Sequence, residues 1–262
     1  MDIQNSFTQT FNTPATILVR APGRVNLLGE HVDYNDGVVL PAAIDRAVRL
    51  AASPTQDGIV RLYAQDLGQQ VAFRLDALEQ RVDLDGAPLP HWAIYPAGVA
   101  WALREAGVQV RGMQAVYTSD VPIGAGLSSS AAVEVAFAAA WRALGGWEMD
   151  NLHLAQLCQR AENGYVGVNS GLMDQFASAC GVEGHTLYFD TRSLEWHPVA
   201  LPAGTAIIVA DSGMRRTLTT SGYNQRRAAC ELAVARLQKY KPGLRSLRDI
   251  STVEFAAFKD YL

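Results

Sequence analysis

Cysteine is scarce, with three in 262 residues, at positions 158, 180 and 230. An odd count at wide spacing argues against a disulfide framework, and no Cys-x-x-Cys pair is present. Nor do the five histidines cluster with cysteine at zinc spacing. Charge is sparse too: 18% of residues are charged and the net charge is −4. No broad positive field draws the chain to nucleic acid, and an anionic ligand needs a local site. The longest uncharged apolar-leaning stretch, residues 92–103, contains Pro96 and is too short to span a bilayer. Residues 1–13 carry no Lys or Arg, so the basic start of a secretory signal is missing. These absences leave a reduced, soluble, cytoplasmic protein as the expectation, with no nucleic-acid or membrane partner and with cysteines that pack rather than react. What is present is apolar: 49% of residues, enough to bury the core of one large domain or two modest ones.

The chain has no internal repeat and no low-complexity linker. Its first half is rich in short, partly alternating apolar runs, which predict strands at 16–20, 47–52, 59–65, 71–75 and 113–118. Helices are predicted at 92–105, entered across Pro90 and closed by Gly107, and at 128–144, stopped by Gly145-Gly146. Further helices are predicted from a cap at Asp150 or Asn151 to about 163, at 171–179, and at 223–239. The runs at 187–189 and 206–209 look like strands. The order mixes α and β without regular βαβ alternation, so the class is α+β rather than a doubly wound sheet.

The stretch 121–131, VPIGAGLSSSA, carries the most chemistry. A strand ends, Gly124 and Gly126 open the backbone around Ala125 and Leu127, and Ser128, Ser129 and Ser130 begin a helix. Glycine lets main-chain N–H groups come close to an anion, and the new helix adds unpaired N–H groups and the positive end of its dipole. The serine hydroxyls can meet phosphate or Mg²⁺. A Walker loop needs Gly-Lys-Ser/Thr, and no Lys is present. A dinucleotide fingerprint needs a third Gly where Ser129 stands.

Two other segments are dense in polar groups. Residues 23–37, GRVNLLGEHVDYNDG, bring Arg24, Glu30, His31, Asp33, Asn35 and Asp36 together. Carboxylates and a histidine on one loop suit a hexose, whose hydroxyls each donate and accept. Asn35-Asp36-Gly37 also makes a turn in its own right. In 161–175, Glu162 falls near a helix end where the dipole disfavours an acid; it is either an exposed helix-surface Glu tolerated at small cost or the neighbour of a cation such as Mg²⁺. Asp174 falls in the first turn of the next helix. It is either a dipole-favoured acid or a buried base kept ionised by an arginine.

Taken together these motifs resemble the galactokinases, of the GHMP kinase superfamily. Residues 23–37 look like the galactokinase signature and 121–132 like the superfamily's ATP-phosphate loop, and the similarity runs from about residue 15 to about residue 227. The resemblance implies a GHMP kinase fold. That fold has an N-terminal ribosomal-protein-S5-domain-2-like domain over 1–190, and 191–262 would begin an incomplete ferredoxin-like second domain. It implies Asp174 as proton acceptor and Arg24 as transition-state stabiliser. Galactose would be held by Glu30, His31, Val32, Asp33 and Tyr223. ATP phosphates would lie over Gly124, Ala125, Gly126, Leu127, Ser128, Ser129 and Ser130, with Mg²⁺ on Ser130 and Glu162. Thr is usual in the family where Val32 stands. The implied reaction moves the γ-phosphoryl of ATP to O1 of α-D-galactose, and the implied protein is a monomer. The family's third, glycine-rich motif has no counterpart in these 262 residues, so the chain as given is expected to be weakly active or inactive. The alternatives are a catalytically impaired fragment, a galactose- and ATP-binding relative without activity, and a kinase of a related sugar such as N-acetylgalactosamine. The intact Ser130-Ala131 pair favours enzyme ancestry.

Overall fold

The fold is drawn from a computed structural model that describes residues 2–210, 213 and 221–261. Strand β1 (Ile17–Asn26) pairs antiparallel with β3 (Pro41–Thr55), which pairs antiparallel with β6 (Gly112–Ser119). β4 (Ile59–Ala64) lies parallel to β6, and β5 (Gln69–Arg74) closes the edge, giving the order β1-β3-β6-β4-β5. Side chains alternate across this sheet as strand geometry requires. Leu50, Ala52, Ala115 and Tyr117 face a core shared with α2 (His91–Glu105), α3 (Ser129–Gly145) and α4 (Asn151–Ala161). Ala51 and Val116, one residue out of phase, face the opposite side.

That opposite side is covered by an element for which the sequence reading gave no expectation. Residues Ile3–Phe11 form helix α1, whose Ile3 and Phe7 pack on Ala51 and Val116. The segment is polar on average, yet Ile3, Phe7 and Phe11 recur every four residues, which is the spacing of one helical face.

A second, three-stranded sheet has the order β2-β7-β8, built from β2 (Val38–Val39), β7 (His185–Asp190) and β8 (Trp196–Ala200). Helix α5 (Met173–Cys180) lies over it. Phe176 stacks on Phe189 with ring centroids 3.9 Å apart, and Trp196 meets its edge. α5 also contacts α3, α4 and β1, so it joins the two sheets. The later chain forms α6 (Ser221–Leu237), a 3₁₀ turn at Leu247–Asp249 and α7 (Thr252–Phe258). The apolar run at 206–209 is not a strand: a strand exists only when hydrogen-bonded to another, and it pairs with none among the described residues. Ile208 is accordingly exposed. Cys158 and Cys180 are buried, Cys230 is half-buried, and all three are free thiols. No helix among the described residues is long and apolar enough to cross a membrane.

Because Phe176 joins α5 to the second sheet, Phe176→Ala is expected to lower the unfolding free energy by about 3–5 kcal/mol. Urea unfolding checks this, and a loss under about 1 kcal/mol would show that the stack is not what fixes α5.

Candidate active site

β1 carries a register shift between Pro22 and Arg24, and a bulge of this kind re-aims the side chain beside it. Arg24 donates from Nε and Nη2 to Oδ1 of Asp174, at 2.8 and 2.5 Å, and from Nη1 to the Gly126 carbonyl at 2.8 Å. One guanidinium therefore touches both the glycine loop and the first turn of α5. The main chain repeats the link: the Arg24 N–H donates to the Leu127 carbonyl at 3.1 Å. A Cβ on Gly23 would lie only 2.7 Å from that carbonyl oxygen, so only glycine allows the strand to approach the loop.

The glycine loop follows β6. Gly124, Gly126 and Ser128 all have positive φ, and such left-handed residues turn successive N–H groups toward one concave side. α3 then starts at Ser129, and its first-turn N–H groups have no helical acceptors. Ser128 departs from the sequence expectation of a hydroxyl facing phosphate. Its Oγ donates to Oδ2 of Asp174 at 2.6 Å, which holds this left-handed non-glycine residue in place. Asp174 thus has Arg24 on one oxygen and Ser128 on the other.

Glu162 sits where α4 passes into a π-helical turn, Glu162–Val166, a local widening common at functional sites. Its carboxylate is buried. Oε1 accepts from Ser130 Oγ at 3.3 Å, and Oε2 accepts from Ser170 Oγ and from Gln175 Nε2, the latter at 2.8 Å. Burial pushes its pKa up, with the Asp174 charge adding to the effect. A buried carboxylate beside a second acid and a hydroxyl is a fit for one small divalent cation. Mg²⁺ asks for only one or two protein oxygens when water and phosphate complete its shell. No group of three or more His, Cys, Asp or Glu able to hold a metal occurs among the described residues.

The loop after β1 brings a third acid. Asp33 opens a 3₁₀ turn, Asp33–Asn35, and Asp36 behind it is left-handed. The Val32 carbonyl accepts from the N–H groups of Asn35 and Gly37, at 2.9 and 2.8 Å, so the loop closes on itself. His31 Nδ1 lies 2.8 Å from the Tyr34 hydroxyl. Glu30 is exposed. The Asp33 carboxylate occupies the space that a side chain at Gly171 would need, which brings the loop within three residues of Asp174. Its pKa is raised to about 6, first by burial and then by the Asp174 charge, against weaker help from the Met173 N–H and Arg24.

Residues that the sequence reading did not single out hold these parts in place. Arg192 pairs with Asp36 and Asp249, while Arg248 pairs with Asp190 and donates to the Asp36 carbonyl. Arg227 on α6 donates to the Asn169 carbonyl at 2.9 Å and lies 5.9 Å over the Tyr34 ring. Tyr223 stands one turn earlier on α6; its side chain lies outside the described residues.

A strand–glycine loop–helix unit with an arginine bridging loop and acid sets an anion-binding loop beside a carboxylate. Residues 95–182 match the family described as GHMP kinases N terminal domain, and residues 5–54 match the galactokinase galactose-binding signature. A galactokinase of Roseiflexus sp. (strain RS-1) is 45% identical over 261 residues, covering 100% of this chain and 65% of the relative. One of Chloroflexus aggregans is 42% identical over 256 residues, covering 98% and 64%. The crystal structure of Lactococcus lactis galactokinase complexed with galactose superposes with a TM-score of 0.86 at 31% identity, covering 99% of this chain and 66% of that one. Methanococcus jannaschii mevalonate kinase, at a TM-score of 0.55 and 18% identity over 70% of this chain and 55% of its own, shares the fold alone. The chain belongs to the galactokinase family of GHMP kinases. It spans slightly less than two thirds of the length of the curated relatives it matches, 65% and 64% for those named.

The raised pKa of Asp33 makes a pH prediction. The folded state holds this proton up to about pH 6, whereas an unfolded chain releases it near 3.8. Stability from this group is therefore full below pH 4, falls between 4 and 6, and stays lost above. Asp33→Asn is expected to match wild type near pH 4 and to be more stable by about 1–3 kcal/mol at pH 7.5. Urea titrations at the two pH values check this, and an equal difference at both would contradict it.

Proposed function

We propose that this fold phosphorylates galactose, moving the γ-phosphoryl of ATP to O1 of α-D-galactose with Mg²⁺ present, as a cytoplasmic monomer. The observation that carries the reading is the double engagement of Arg24. One cation joins the carboxylate fit to accept a proton to the loop fit to hold phosphate. The galactokinase relatives and the galactose complex of the Lactococcus lactis protein support the sugar.

In this reading Glu30, His31, Val32, Asp33 and Tyr223 bind the sugar. Asp33 is the acid that burial and Asp174 disfavour, so sugar hydroxyls donating to it stabilise its charged form. Asp174 accepts the proton from O1 as the oxygen attacks phosphorus. Arg24 fixes Oδ1 of Asp174 and faces the charge that develops on the transferring group. N–H groups of residues 124–130 receive the phosphates, while Ser128 spends its hydroxyl on Asp174. Ser130 and Glu162 would hold Mg²⁺, which when bound neutralises phosphate oxygens. The protein's main task is to position the two substrates.

Asp174→Asn in the intact enzyme is expected to lower galactose-dependent ADP release by roughly a hundred- to ten-thousandfold. Galactose affinity by calorimetry is expected to change by less than about fivefold, because the group acts on the proton in transfer. Near wild-type turnover would leave Asp174 a structural partner of Arg24 and no more.

A further inference from the structure

Glu134 has no part in the reaction just described, yet it is fully buried, on an alanine-rich helix where an apolar side chain would be the cheaper occupant. It stands four residues after Ser130, one turn along the same face of α3. Its Oε2 accepts from Gln175 Nε2 at 3.0 Å, and the same nitrogen donates to Oε2 of Glu162 at 2.8 Å. An amide nitrogen has two hydrogens, and here each goes to a different carboxylate. Gln175 is itself fully buried and follows Asp174 in the chain. Ser170 also donates to Oε2 of Glu162. That oxygen is therefore occupied by two donors, and Oε1 is the one turned toward Ser130.

We propose that Glu134 and Gln175 are positioning residues for the cation. Glu134 orients the Gln175 amide, and Gln175 with Ser170 ties down one oxygen of Glu162 so that the other is presented beside Ser130. The inference rests on the reading above that Ser130 and Glu162 hold the cation. Without Glu134 as acceptor, one amide hydrogen of Gln175 loses its partner in the core and the amide is held by Glu162 alone. The orientation of the Glu162 carboxylate is then less firmly fixed. Partners of this outer kind change metal affinity by about 10–100-fold. The arrangement also places the proton acceptor and the orienting amide on adjacent residues of α5, so movement of α5 shifts both.

The test is Mn²⁺ binding to the protein with ADP, read by electron paramagnetic resonance, alongside the thermal midpoint and metal-free ADP affinity. Gln175→Leu and Glu134→Leu are expected to weaken Mn²⁺ by about tenfold or more while metal-free ADP affinity stays within about twofold. Glu134→Gln, whose amide oxygen still accepts, is expected to stay within about threefold of wild type. If the leucine variants are isolated unfolded, Gln175→Asn, which withdraws the amide by one methylene, is expected to show the same loss. Folded Gln175→Leu or Gln175→Asn with wild-type Mn²⁺ affinity would overturn the proposal, as would a lowered midpoint with no change in Mn²⁺ affinity. Glu162→Ala separates the two levels. Mn²⁺ binding that survives it overturns the cation reading itself. Binding that Glu162→Ala abolishes and Gln175→Leu spares overturns only the positioning inference.

Discussion

The rest of the site depends on the contact between Arg24 and Asp174. The two residues are 150 positions apart in the chain, and their ion pair closes at 2.5 Å with both side chains largely shielded from water. The arginine comes from an edge strand of the main sheet and the aspartate from the helix that covers the second sheet. The third arm of the guanidinium holds the glycine loop. Three elements with no local reason to meet are thus fixed by a planar five-donor group, a task that a single ammonium would not perform. The Arg24 N–H, bonded to Leu127, and the side-chain-free Gly23 reinforce the same junction through the main chain.

Around this junction the fold accumulates acids. Asp33, Asp174, Glu162 and Glu134 converge with one arginine among them, and burial and mutual repulsion push Asp33, Glu162 and Glu134 toward their neutral forms. Such an arrangement costs stability, and the cost is evidence of purpose. In the proposed reading, sugar hydroxyls donating to Asp33 and a cation at Glu162 would relieve it. The surrounding scaffold supports the arrangement. The aromatic stack of Phe176 and Phe189 pins α5, and the salt-bridge network of Arg192, Arg248, Asp36, Asp190 and Asp249 braces the loop that carries Asp33.

Much of this was legible in the sequence where the signal is local. The alternation of β3 and β6, the glycine stop after α3 and the cap at Asp150 are properties of neighbouring residues. The structure places β6, the end of α3 and the cap, at Asp150 rather than Asn151, close to expectation, while β3 runs over Pro41–Thr55, well beyond the expected 47–52. Arg24 and Glu162 stood out because their charge conflicted with apolar or dipolar surroundings, whereas Asp174 sits where a helix dipole favours an acid and its role had two readings. What stayed hidden depends on partners distant in sequence. Glu134 drew no expectation, because nothing local in its alanine-rich helix announces the partner that α5 supplies in Gln175. Ser128 reads as a free phosphate-facing hydroxyl until Asp174 claims it. The apolar run at 206–209 has strand composition, but composition supplies no neighbouring strand. Helix α1 was within reach, since Ile3, Phe7 and Phe11 already share a face, but its polar average obscured the period.

The central claim, that Arg24 and Asp174 act as one unit, is tested most directly by a double-mutant cycle of Arg24→Met and Asp174→Asn read by urea unfolding. The account predicts a coupling free energy of about 1–3 kcal/mol, with the double variant less damaged than the sum of the two singles. Losses that add to within about 0.3 kcal/mol would mean that the two residues stand close without holding the site together.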